Sequence, residues 1–226
     1  MGFEVFLTRR AENMPFLGGM YCFPGGGVSK EDFSARVMGR CSGVTPDQAR
    51  KIIGAHLRPS EALGFWIAAV RELFEEVGIL LAVQPSGARL SMNTAQGKRL
   101  NEKHAALVGK SLSFTSLIES EDLRCDLAAL AYFSHWQTPA QNAIRFDTRF
   151  FLAVLPKEQT PLASSDEVAH SLWLTPDRAI QLFERGELPL IFPTFASLRT
   201  LANFDTIERL FEEFGNTRYL VSSTQT

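Results

Sequence analysis

The sequence has few cysteines, no long apolar run and no marked excess of either charge, and each shortage removes a class of protein. Three cysteines, Cys22, Cys41 and Cys125, are odd in number and lack paired metal-ligand spacing. They argue against a disulfide framework and read as core or incidental thiols of a reducing compartment. No segment approaches the roughly 18 apolar residues of a membrane-spanning helix, and the first strand-like segment, "FEVFLTRR", contains no signal-peptide core. The terminal "SSTQT" matches no simple retention or peroxisomal signal. A cytoplasmic protein without a membrane is therefore expected. With 23 Lys and Arg against 25 Asp and Glu, the net charge is −2, so neither nucleic acid nor an acidic membrane is an expected partner. A phosphate-bearing ligand must then be met by a local site or by a metal. Internal repeats and low-complexity blocks are also missing. The four histidines, His56, His104, His135 and His170, show no metal-ligand spacing.

What is present is enough for one sizeable core: 226 residues, 45% of them hydrophobic. "GFEVFLTRR" predicts a strand, and "MYCF" a short extended piece running into the glycine turn "PGGGV". Thr45, Pro46 and Gln48 carry the cap, first-position and capping-box signals of a helix through "ARKIIGAHL". A second helix is expected from a Ser60 cap to Gly78, and a third around "KRLNEKHAALVG". "LAALAYFSHW", "IRFDTRFFLAVL" and "SLWL" predict strands, rich in aromatic and β-branched residues. Thr175 and Pro176 open a helix, and residues 193–214 have apolar positions at helical spacing. Phe192, Phe195, Phe204, Phe211 and Phe214 in this tail are expected to pack a core or a dimer seam. Strands and helices mix without regular alternation, which argues for the α+β class.

The stretch "VRELFEEVG", residues 70–78, breaks local rules. On a helix Glu72, Glu75 and Glu76 share one side and repel one another. They also lie where the macrodipole disfavours anions, just before the expected terminator Gly78. A positive group against this face would compensate for both effects. Ala68 and Ala69 leave room over this face, and Arg71 can orient Glu72. Upstream, "FPGGGV" lets backbone approach a ligand closely; downstream, Glu167 stands in the loop "SSDEVAH".

Residues 71–79, "RELFEEVGI", resemble the Nudix box, G-x5-E-x7-R-E-U-x-E-E-x-G-U, at every fixed position of its second half. Five residues separate Gly26 from Asp32, where the box has its first acid; Glu31 is the alternative. Asp32 precedes Arg71 by 39 positions where the pattern has 8, which implies an insertion of about 31 residues. Such an interrupted box is similar to the coenzyme A and acyl-coenzyme A diphosphatase branch of the family. "FLTRR", "GMYCFPGG", "RFDTRFF" and "EVAHSLW" agree with that branch. The resemblance implies one Nudix domain with an α/β/α sandwich around a mixed sheet. Residues 33–59 would be a helical insertion and residues 193–226 a C-terminal helical extension.

The implied chemistry is Mg²⁺- or Mn²⁺-dependent hydrolysis of a nucleotide-diphosphate derivative, most directly coenzyme A or its acyl thioester. ADP-ribose, NADH or another nucleotide conjugate is the alternative substrate class, and a catalytically silent ligand-binding domain the alternative role. By the same resemblance, Glu72, Glu75, Glu76 and the Gly26 carbonyl hold metal. Glu72, positioned by Arg71, shares in catalysis, and Glu167 serves as a further ligand or as the general base. Arg9, Arg10, Arg145 and Arg149 are the candidates for binding substrate phosphates. Arg145 and Arg149 alternate with Asp147 along an expected strand, so an ion network on one strand face competes with that role. Association into a homodimer is a further expectation.

Overall fold

A computed structural model describes residues 2–14, 17–54, 56–141, 145–162 and 168–215. Strands β1 (Val5–Arg10) and β2 (Tyr21–Cys22) precede a 3-10 turn at Glu31–Phe33, helix α1 (Ala35–Met38), strand β3 (Cys41–Ser42) and helices α2 (Pro46–Ile53) and α3 (Pro59–Val77). Strand β4 (Ala82–Val83), helices α4 (Ala95–Val108) and α5 (Phe114–Ser120) and strand β5 (Arg124–Asp126) follow. A second 3-10 turn (Leu127–Ala129) leads to β6 (Ala131–Gln137), β7 (Asp147–Leu152) and β8 (Val168–Leu174). The last elements are α6 (Pro176–Glu184), α7 (Phe192–Leu201) and α8 (Ile207–Phe214). No described helix is long and apolar enough to cross a membrane. The mixture is α+β, as expected.

The chain divides into two compact units. The first comprises residues 1–24, 133–150 and 162–226. Its three-stranded antiparallel sheet has the order β2-β1-β8, with Leu7 opposite Leu172 and Val5 opposite Leu174. Leu7, Ala179, Leu188, Leu190 and Leu198 form the buried centre over which α6 and α7 lie. The Thr175 hydroxyl caps α6 by accepting from the Arg178 N–H at 3.3 Å. The apolar tail is two helices rather than one, because Thr206 starts a new cap after the turn at Asn203. In this tail Phe195 packs on Phe183 at 4.5 Å and Phe214 on Phe133 at 4.8 Å, Phe211 is buried, and Phe192 is exposed.

The second unit comprises residues 25–132 and 151–161. Its sheet is mixed, order β3-β5-β4, with β3 parallel and β4 antiparallel to β5. The capping box of α2 forms with both of its reciprocal bonds, Gln48 N–H to Thr45 at 3.3 Å and Thr45 N–H to Gln48 at 2.9 Å. Helix α3 is capped at Arg58, two residues before the expected Ser60 cap. Pro59 is pre-shaped for the first helical position, and Glu61 reaches back to the Arg58 N–H at 3.0 Å. One face of α3 buries Leu63, Trp66, Ile67, Val70, Phe74 and Val77. It stops where Gly78 turns left-handed, φ 71°. The start of the expected strand "LAALAYFSHW" is a 3-10 turn, and the strand itself begins at Ala131. Buried Gln159 bonds both the N–H (2.8 Å) and the C=O (2.9 Å) of Leu80, substituting for a neighbouring strand just beyond the helix.

Candidate active site

The last turns of α3 carry the acids, and a buried arginine orders them. Arg71 is only 8% exposed at its side chain, and Asp32 1%. Its Nε and Nη2 donate to the two oxygens of Asp32, both at 2.9 Å, in a bidentate pair. Nη1 donates to Glu72 at 2.8 Å and to Glu75 at 3.0 Å, and Nη2 also to the Gly27 carbonyl at 2.8 Å. One guanidinium thus ties together the glycine turn, the first acid and two acids of the helix. Burial opposes its charge, yet the bonds to Asp32 and the surrounding carboxylates hold its pKa above the usual arginine value. Asp32 also accepts from the Ser29 N–H at 2.7 Å.

Of the two neighbours Asp32 and Glu31, Arg71 meets Asp32. Glu31 accepts instead from the Thr115 N–H at 3.2 Å, in the first turn of α5. Burial works against its charge, but bonds from Thr115 and Ser113 hold it below the usual carboxylate range. At the helix end, Glu76 Oε2 accepts from the Gly25 N–H at 2.9 Å. The Gly26 backbone lies so close to Glu72 that an added Cβ would stand 2.5 Å from Oε2. His104 of α4 places Nε2 3.0 Å from the Glu75 carbonyl, within the turn whose carbonyls lack helical partners. No spacing rule in the sequence points to that histidine.

Burial, reinforced by Glu75 and Asp32 and opposed by Arg71, raises the pKa of Glu72. A carboxyl that holds its proton more tightly when folded contributes stability at low pH, and this contribution is lost as pH rises through the folded value. Without metal, Glu72→Gln should therefore gain stability relative to wild type over that interval. The interval opens near the ordinary glutamate value, about 4.3, and closes at the raised one. Urea unfolding of both proteins across this range is the check; a difference that shrinks with rising pH would contradict the burial argument.

The model of one protein family, described as the NUDT19 Nudix domain, matches residues 1–201. The chain belongs to this family. It is 31% identical to an acyl-coenzyme A diphosphatase NUDT19 of Gallus gallus over 96% of its own length, and 29% identical to one of Homo sapiens over 92%. The chain spans 66% and 63% of those relatives' lengths. A crystal structure of a NUDIX hydrolase from Alicyclobacillus acidocaldarius is similar in fold, with a TM-score of 0.73. That similarity comes with 28% identity and covers 92% of this chain and 87% of that one.

Nudix hydrolases use divalent cations, and the donor set here suits one: carboxylates of one helical turn beside backbone of a glycine turn, all hard oxygen donors. Among the described residues no three Asp, Glu, His or Cys side chains are already gathered around a point. Glu72 and Glu75 lie instead on Arg71, and Glu76 on the Gly25 N–H. Gly26→Ala should fold, since the Glu72 carboxylate is a flexible end that can move. It should weaken divalent-cation affinity on the order of tenfold by displacing that carboxylate. Calorimetric titration with Mn²⁺ checks this, and unchanged affinity would remove Gly26 from the site.

The remaining candidates are placed as follows. Glu167 lies outside the described residues. Arg9 donates to the Gly19 carbonyl at 3.0 Å and to Glu12 at 2.6 Å. Arg10 ends β1 at a register shift. Arg145 precedes β7, which begins at Asp147, so the expected single strand face of Arg145, Asp147 and Arg149 is corrected to a pair. Arg145 donates to the Thr138 carbonyl at 3.2 Å. Arg149 is buried and ion-paired to Asp147 at 2.9 Å, and Asp147 also meets His135.

Proposed function

We propose that the chain hydrolyses the diphosphate linkage of acyl-coenzyme A or coenzyme A, with Mg²⁺ or Mn²⁺, to a phosphopantetheine product and adenosine 3′,5′-bisphosphate. The observation that carries this reading is the Arg71 clamp. It draws Asp32, 39 positions away, onto the helix that bears Glu72 and Glu75, which supports reading the interrupted box as one acidic site. The names of the chicken and human relatives supply the substrate class.

In this reading Glu72, Glu75, Glu76 and the Gly26 carbonyl hold the cations. A bound cation neutralises diphosphate charge and makes water nucleophilic near neutral pH. Arg71 acts by positioning: it fixes the direction of Glu72, a carboxylate whose proton affinity burial raises. Glu72 and Glu167 are the groups assigned to proton transfer, with Glu167 as base or further ligand. Arg9, Arg10, Arg145 and Arg149 are proposed to meet substrate phosphates. Arg149 would have to exchange its buried pairing with Asp147 for a phosphate.

The two units are read as one Nudix domain, supported by a family match that runs through both. Residues 33–59 are the insertion inside the box and residues 193–226 its C-terminal extension. The partner is a small nucleotide-diphosphate derivative, handled by a cytoplasmic protein that associates as a homodimer.

Incubation with Mg²⁺ or Mn²⁺ and a panel of coenzyme A, a medium-chain acyl-coenzyme A, ADP-ribose and NADH tests the proposal. Release of adenosine 3′,5′-bisphosphate from the coenzyme A compounds alone is expected. Cleavage of ADP-ribose or NADH instead would keep the site and overturn the substrate. Silence across the panel with retained cation binding would replace the enzyme by a ligand-binding domain.

A further inference from the structure

Two cysteines that no spacing rule joins are brought together by strand pairing in the second unit. Cys41 of β3 and Cys125 of β5 are register partners in the parallel pair. Cys125 N–H donates to the Arg40 carbonyl at 2.8 Å, and the Ser42 hydroxyl to the Cys125 carbonyl at 3.3 Å, so the register is held on both sides. Register partners on neighbouring strands project to the same face, with backbones about 4.8 Å apart. That separation falls inside the Cα range of disulfides, about 4.4–6.8 Å. The two thiols differ in access: Cys41 is half-buried, Cys125 wholly buried. Cys41 Sγ donates to the Val37 carbonyl at 3.2 Å, which holds it beside its partner.

We propose that Cys41 and Cys125 are a reversible thiol–disulfide site, oxidised by hydroperoxides, which links the insertion's strand to β5. The steps balance. The Cys41 sulfur attacks hydrogen peroxide, breaking the O–O bond to give a sulfenic acid and one water. The Cys125 sulfur then attacks the sulfenic sulfur, forming the S–S bond and releasing a second water with the Cys125 proton. Two thiols are oxidised and one peroxide is reduced. A dithiol reductant reverses the linkage by exchange. The division of roles follows from the surroundings. The hydrogen bond with Cys41 and complete burial raise the Cys125 thiol well above its usual range, so it waits as the thiol that resolves. The accessible Cys41 is the one a small oxidant meets. Cys22, in the other unit, serves as an internal control.

The test uses the full chain, reduced and freed of reductant, then treated with equimolar hydrogen peroxide. Thiol titration in denaturant should fall from the three cysteines of the sequence to one. Non-reducing peptide mapping should show residue 41 joined to residue 125, and dithiothreitol should restore all thiols. Cys22→Ser should form the same link and Cys41→Ser should not. The wild-type map alone decides the matter if a variant fails to fold. Oxidation of Cys41 to sulfinic acid without linkage, a link through Cys22, or a link between chains would overturn the assignment.

Discussion

Glu76→Gln will fold like the wild type and lose turnover by on the order of a thousandfold, about 4 kcal/mol of transition-state stabilisation. The substitution keeps shape and an oxygen acceptor for the Gly25 N–H, now bonded at 2.9 Å, so the glycine turn stays docked on the helix. What is lost is one negative charge in the site proposed to gather cations against a diphosphate. Glu72 and Glu75 are ion-paired to Arg71, whereas the bond described for Glu76 is to the Gly25 N–H, which glutamine can still accept. The substitution should therefore reduce cation binding and leave the fold in place. Turnover of coenzyme A compounds, Mn²⁺ titration and thermal melting together make the check. Activity within threefold of wild type would end the assignment of Glu76 as a ligand.

Arg71→Met will destabilise the fold by about 3–5 kcal/mol, because it removes one partner of a buried ion pair and leaves the other uncompensated. Asp32 is 1% exposed and depends on Arg71 for both of its oxygens, with one further bond from Ser29. Glu72 and Glu75 lose their nearest cation in the same step. For a chain of this size the melting midpoint should fall by roughly 2–4 °C per kcal/mol. The double variant Arg71→Met with Asp32→Leu should recover part of the loss, since the stranded charge is gone. Denaturant unfolding of the three proteins measures it. A loss below about 1 kcal/mol, the range of exposed pairs, would mean the clamp is wetter than its burial implies.

Local chemistry made much of this fold readable. Thr45, Pro46 and Gln48 announced α2, Thr175 and Pro176 announced α6, and Gly78 ended α3 in the conformation that only glycine adopts cheaply. The short strands were not readable. Strands β3, β4 and β5 have two or three residues, too few to show a period of two, and they exist because they pair with one another. The site was legible in its helical half, where the acids follow one another at fixed spacing. Its first acid was not, because Glu31 and Asp32 are neighbours of the same chemistry. Only the arrival of Arg71 on one and of the α5 backbone on the other separates them. His104 and Gln159 escaped notice for the same reason: each answers a backbone group far away in sequence.

The double bond of Gln159 to Leu80 bears on how the protein can be made. Neither unit is a continuous stretch of chain: the sheet that begins at β1 is completed by β8, and the segment just past the acidic helix is braced at Leu80 by a side chain 79 positions downstream. During synthesis, a nascent chain that ends near Tyr132 already contains α3 and every acid upon it. It still leaves the buried N–H and C=O of Leu80 without the Gln159 amide. The segment that follows the acidic helix thus waits on a late residue, and such long-range closure slows folding relative to a fold of local contacts.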